Sequence, residues 1–114
     1  MGQGFVLWLS DGRILVLTRD GRLSVWTPDL ERIGVIDSGA NVSWGMRVVG
    51  NRLLVVVDRD DSYDTDIYDL DSLAVVDRLE RVWVTSPPVV VEGRQHWVGI
   101  SADARIVFVP RLDE

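Results

Sequence analysis

The stretch Thr18–Trp26 reads "TRDGRLSVW", and 83 positions later Ser101–Val109 reads "SADARIVFV". Each runs hydroxyl residue, any residue, Asp, any residue, Arg, then an apolar run. Asp followed by a small residue signals a tight turn, and an apolar run of four to eight residues beside a turn signals a strand. The same turn and strand written twice imply a chain built from copies of one unit.

Working outward, short runs of Val, Ile, Leu and Trp recur between Gly, Asp, Asn and Pro, and no window carries a helical stripe with caps. Strands are expected at 5–9, 14–18, 22–26 and 33–37, then at 46–49, 53–58, 66–70 and 73–77, and finally at 89–91, 96–101 and 105–109. Asp11-Gly12, Asp20-Gly21, Gly50-Asn51 and Glu92-Gly93 supply hairpin turns, and a segment with Gly39 and Asn41 joins the first two sets. "FVLWLSDGRILVLT" aligns with "GMRVVGNRLLVVVD" and "PVVVEGRQHWVGIS", and "LSVWTPDLERIGVID" aligns with "TDIYDLDSLAVVD". The period is about 40 residues with four strands per copy. Ile14–Leu17 and Leu53–Val57 are continuously apolar, which suits strands covered on both faces.

The endings "LSVWTPDLERIGVID" and "TDIYDLDSLAVVD" resemble the blade endings of tryptophan–aspartate repeat β-propellers and their bacterial and archaeal relatives. In that family an aromatic followed by Asp closes the third strand. Here Tyr68-Asp69 keeps the pair, while Trp26-Thr27 and Val109-Pro110 depart from it, and the Gly-His pair of the strict family is missing. The resemblance implies an all-β fold of three propeller-like, four-stranded antiparallel blades in one domain, at about 4–38, 44–78 and 87–114. The last blade lacks its fourth strand in this reading. Propellers close with about four to eight blades. Three blades leave two apolar flanks, so the expected partner is a second copy, giving a six-bladed ring, or another protein.

Composition narrows the function classes. The 114 residues carry 12 Arg and no Lys against 18 acidic residues, for a net charge of −6. An acidic chain without a basic cluster is a poor phosphate-backbone binder, so nucleic acid is not an expected partner. The run Leu53–Val57 is far short of the about 20 residues of a membrane span, and no signal peptide is visible. With no Cys, disulfides and thiolate metal sites are excluded, which suits a cytoplasmic setting.

Several residues bear on chemistry. "DRDDSYDTD" offers Asp58, Asp60, Asp61, Asp64 and Asp66, hard oxygen donors of the kind Ca²⁺ takes. The EF-hand spacing is not met, and a long solvated hairpin loop is the plainer expectation. His96 is the sole histidine, so a Zn²⁺ site is not expected; it reads as a rim residue, with general-base work conceivable. No nucleophile elbow or phosphate-binding loop is present. Trp8, Trp26 and Trp97 are expected in the core, and Trp44 and Trp83 in linkers at one rim, where a ligand could be met. Arg47, on an innermost strand, would face a central channel and could hold an anion. The expected function is a non-catalytic binding or assembly module without a cofactor, or, as the alternative, a small-molecule- or metal-binding or hydrolytic propeller whose site forms at a shared channel. An excised piece of a longer propeller is a third expectation.

Overall fold

A computed structural model describes residues 4–18, 20–37, 42–59 and 62–112. Gly39, Asn41, Asp60 and Asp61 lie outside the described residues. The described residues form eleven strands: β1 Gly4–Trp8, β2 Ile14–Thr18, β3 Arg22–Trp26, β4 Arg32–Asp37, β5 Val42–Val49, β6 Arg52–Arg59, β7 Ser62–Asp69, β8 Val75–Leu79, β9 Val82–Val91, β10 Arg94–Ser101 and β11 Ile106–Pro110. They make three antiparallel meanders: β1–β4, β5–β8 and the three-stranded β9–β11. The repeated all-β architecture is consistent with a propeller-like fold.

The turns explain the meanders. Gly12, Gly21 and Gly93 have φ of 94°, 90° and 78°, in the region that tight hairpins need and that Gly occupies without steric cost. The opening pair of sequences is the β2–β3 turn of the first sheet and the β10–β11 turn of the third, each joining second strand to third. In both, the fourth residue donates its backbone N–H to the carbonyl of the first, at 3.0 Å for Gly21 to Thr18 and 2.9 Å for Ala104 to Ser101. In both, a hydroxyl donates to the Asp two residues on: Thr18 to Asp20 and Ser101 to Asp103.

Several local expectations need correction. Strand β7 begins at Ser62, so most of the acidic stretch is strand rather than a long loop. The ladder continues because the backbone of Asp58 and Arg59 pairs with Tyr63 and Ser62 whatever the side chains. Leu73 sits in a turn at φ 61°, which moves β8 two residues along. Trp44 and Trp83 lie in strands β5 and β9, not in linkers. Pro87 and Pro88 also belong to β9, because it is an edge strand and its register against β10 shifts between His96 and Val98. A bulge on an edge is where a residue without an N–H is tolerated.

Register defines two faces on every sheet. Ile14 pairs with Trp26, Leu53 with Tyr68, and Trp97 with Val109. These equivalent pairs mark a leading face. One residue on, Leu15 with Val25, Leu54 with Ile67 and Val98 with Phe108 mark a trailing face. The trailing face of the first sheet packs on the leading face of the second, joining Leu15, Leu17, Leu23 and Val25 to Leu53, Val55, Val57 and Tyr68. The trailing face of the second packs on the leading face of the third, joining Leu54, Ile67 and Leu79 to Val84 and Trp97. The apolar run in β6 is buried throughout because its residues alternate between two dry interfaces.

Polar ties cross both interfaces. Arg13 Nη1 donates to the Leu70 carbonyl at 2.9 Å, and the Thr65 hydroxyl donates to the Val82 carbonyl at 2.7 Å while accepting from the Val84 N–H. The stack stays an open slab of 43 × 32 × 18 Å, its radius of gyration 14.2 Å against about 13 Å for a sphere-like domain of this length. Of the three tryptophans expected in the core, only Trp97 is fully buried. Trp26 is half-buried, its indole N–H on the Ser24 hydroxyl. Trp8 is 69% exposed, because no sheet stacks on the leading face of the first meander.

The left-handed turn residues make a testable contrast. Ala104 has φ 64°, a conformation that costs a residue with a Cβ about 1 kcal/mol. Ala104→Gly should raise stability by about 0.5 kcal/mol after the greater unfolded-state entropy of Gly is counted, and Gly21→Ala should lower it by at least about 0.5 kcal/mol, since φ 90° lies further from the left-handed well than φ 64°, both read from urea midpoints.

Candidate functional site

The β6–β7 hairpin end gathers the chain's densest charge. Asp66 is opposite Val55 on β6 and Arg78 on β8, on the side facing the first sheet. Its carboxylate is fully buried, yet it accepts two bonds from Arg59, at 2.8 and 2.7 Å, and one from Arg78 Nε at 2.8 Å. A buried carboxylate is tolerable only when paired and hydrogen-bonded in this way. Burial by itself pushes the Asp66 pKa up; the bonds from Arg59 and Arg78, with their charges, outweigh it and hold the group below the ordinary carboxylate value. Arg59 is pushed the other way, chiefly by its bond to Asp66. Asp64 accepts from Arg59 at 3.3 Å and from the backbone N–H of Arg81 at 2.9 Å, which ties the β8–β9 turn to the hairpin. Above the cluster, burial raises the pKa of the Tyr68 hydroxyl.

Two cavities open at this end. A polar one of about 330 Å³ is lined by Arg59, Ser62, Asp64, Arg78, Glu80 and Arg81. A second, of about 160 Å³, is mainly apolar, with Tyr63, Trp83, Ile100, Ala102 and Ala104 in its wall. Ser62 and Arg81 line both, so the cavities adjoin. The Tyr63 and Trp83 rings lie 6.5 Å apart at 54°.

The sequence candidates distribute as follows. Trp83 lines the apolar cavity. Arg47 is exposed on β5 opposite Leu54, four β6 positions from Asp58, the partner of Tyr63; at about 3.3 Å per residue this is roughly 13 Å along the strand. The structure therefore does not bring Arg47 and Trp83 together. Trp44 is placed in β5 by its backbone. Of the acidic set, Asp64 and Asp66 face guanidinium groups, Asp58 is exposed, and Asp60 and Asp61 lie outside the described residues. Among the described residues no group of three or more His, Cys, Asp or Glu side chains is arranged to hold a metal. His96 is half-buried on β10, its Nδ1 2.9 Å from the Arg94 carbonyl.

Sequence reading passed over Arg59, Arg78, Glu80, Arg81 and Tyr63. The available signal was complementary charge: "DTD" at 64–66 and "DRLER" at 77–81 are opposite in an antiparallel register. No protein-family model matches the chain, and no curated protein matches it significantly. Among the described residues no helix is long and apolar enough to cross a membrane.

Breaking the cluster should be costly. Asp66→Asn removes the charge that Arg59 and Arg78 share, leaving Arg59 to Asp64, expected to cost about 2–4 kcal/mol because Arg59 and Arg78 stay partly solvated. Because the folded pKa of Asp66 is lowered, its contribution is present above the unfolded carboxylate value and is lost as pH falls through the folded one. Urea unfolding should show the wild type losing stability below about pH 4, and Asp66→Asn losing less over that window.

Proposed function

We propose that the chain is a non-catalytic assembly module whose partner is a second copy of itself, the pair closing a ring of six sheets. The observation that carries this is the recurrence of one face pairing. Twice within the chain a trailing face packs on a leading face. Two such faces stay open: the leading face of the first sheet, with Val6 at 61% and Trp8 at 69% exposure, and the trailing face of the third, with Ile106 at 72% and Phe108 at 55%. They are the two halves of the contact the chain already makes. A two-fold pair satisfies both at once, each copy lending its trailing face to the other's leading face.

The energetics favour closure. Several hundred Å² of apolar surface per contact, at about 25 cal/mol per Å², amounts to on the order of 10 kcal/mol before the cost of association. Open apolar faces of this size on a single copy invite uncontrolled sheet stacking, which a closed ring removes. A binding role for the alternative site at a shared channel rests on Arg47, exposed on the edge strand β5.

Analytical ultracentrifugation tests the pairing. The chain at micromolar concentration should sediment at twice its 12.8 kDa. Trp8→Glu spoils only the leading face and Phe108→Glu only the trailing face, so each variant alone should be a monomer. A one-to-one mixture of the two retains one intact contact and should form a weaker heterodimer. A monomeric wild type, or a mixture no more associated than its components, contradicts the proposal.

A further inference from the structure

The paired cavities at the hairpin end have a division of labour that the fold does not require; the apolar one is walled by Trp83 and Ile100, which pair at one end of the third sheet's trailing face, and by Ser62, Tyr63 and Arg81 from the second sheet and the turn after it. The charged groups of the polar cavity fall into two sets. Arg59, Asp64 and Asp66 are spent on one another. Arg78 commits its Nε to Asp66 and keeps a side chain 45% exposed. Arg81 and Glu80 are exposed, and among the described residues their side chains make no ion pair. The lining of the cavity therefore includes guanidinium groups and one carboxylate, Glu80, that is not already engaged. Immediately beside it, across Ser62 and Arg81, the Tyr63 and Trp83 rings, with Ile100 and two alanine methyl groups, form an apolar slot.

We propose that this bipartite cleft binds an aromatic α-amino acid as the free zwitterion. The aromatic ring enters the slot against Trp83 and Tyr63. The carboxylate is met by Arg81 and the outer nitrogens of Arg78, and the ammonium by Glu80. A simple anion would meet Glu80 unfavourably, and a simple cation would meet two arginines; a zwitterion satisfies both signs. Arg recognises a carboxylate through a planar fork of donors, and flat rings favour offset or tilted packing on other rings. The two cavities together fall at the small end of the range for small-molecule sites, about 300–1,000 Å³. Hydrogen bonds tie together the elements that build the cleft: Asp64 holds the backbone of Arg81, and Thr65 ties the start of β9 to β7.

The test is a titration of the intact chain with L-phenylalanine, 3-phenylpropanoate, which lacks the ammonium, and phenethylamine, which lacks the carboxylate. Binding is followed by amide chemical shifts and by tryptophan fluorescence excited where phenylalanine does not absorb. For a ligand of this size the expected Kd is on the order of 1 mM. Arg81→Gly suits the left-handed backbone at φ 58° and should preserve the fold. It should weaken phenylalanine and phenylpropanoate about tenfold and, by removing one of the two like charges a cation meets, bind phenethylamine no more weakly than the wild type does. Glu80→Gln should remove the preference for phenylalanine over phenylpropanoate. Shifts should centre on residues 62–64, 80–83 and 100–104. No saturable response to phenylalanine by 20 mM (a ceiling of about twenty times the expected Kd), shifts centred elsewhere, or an affinity untouched by both variants overturns the proposal.

Discussion

No sheet in this chain can be dry alone. A four-stranded meander has two faces, and a strand such as Leu53–Val57 has no polar side to turn to water. The second sheet solves this by lying between the other two, and everything else in the molecule is arranged around that burial. Its odd and even positions on β6 are shared between two separate clusters. The first and third sheets each have one covered face and one open face, and the open faces keep the apolar character of the covered ones.

Within that dry centre the Asp66 cluster is the exception, and it is placed where an exception costs least. The carboxylate is buried, but its cations come from the hairpin end, where Arg59 and Arg78 still reach solvent. The desolvation of one charge is offset by three hydrogen bonds. A one-residue slip of β7 against β6 would carry Asp66 to the opposite face, away from Arg59, so the pair also opposes misregister. The same end carries the cleft, since the arginines that neutralise Asp66 form its wall.

Much of this fold is legible in the sequence. All eleven strands occur in the expected order, because Asp-Gly and Glu-Gly turns punctuate them and because a continuous apolar run marks burial on both faces. Strand ends were less legible. Backbone pairing carries β6 and β7 through Arg59, Ser62 and Tyr63, where side-chain polarity suggests a loop, and an edge bulge lets β9 pass through Pro87 and Pro88. Trp8 looks like core by residue type; its exposure is decided by which sheets have neighbours, which is a property of the stack. The site was hardest to see. Asp66 meets Arg59 seven positions back and Arg78 twelve positions on, and Trp83 meets Tyr63 twenty positions away, so only the register brings them together.

The central role of the second sheet is most directly open to native-state amide hydrogen exchange on the dilute chain. If its two-sided burial holds the molecule together, the β6 and β7 amides exchange slowest, through global unfolding alone, while β1, β4 and β11 open at lower cost. Protection spread evenly over the three meanders, or greatest in the first or third, would mean that they are stable independently and that the stack is not what holds the fold.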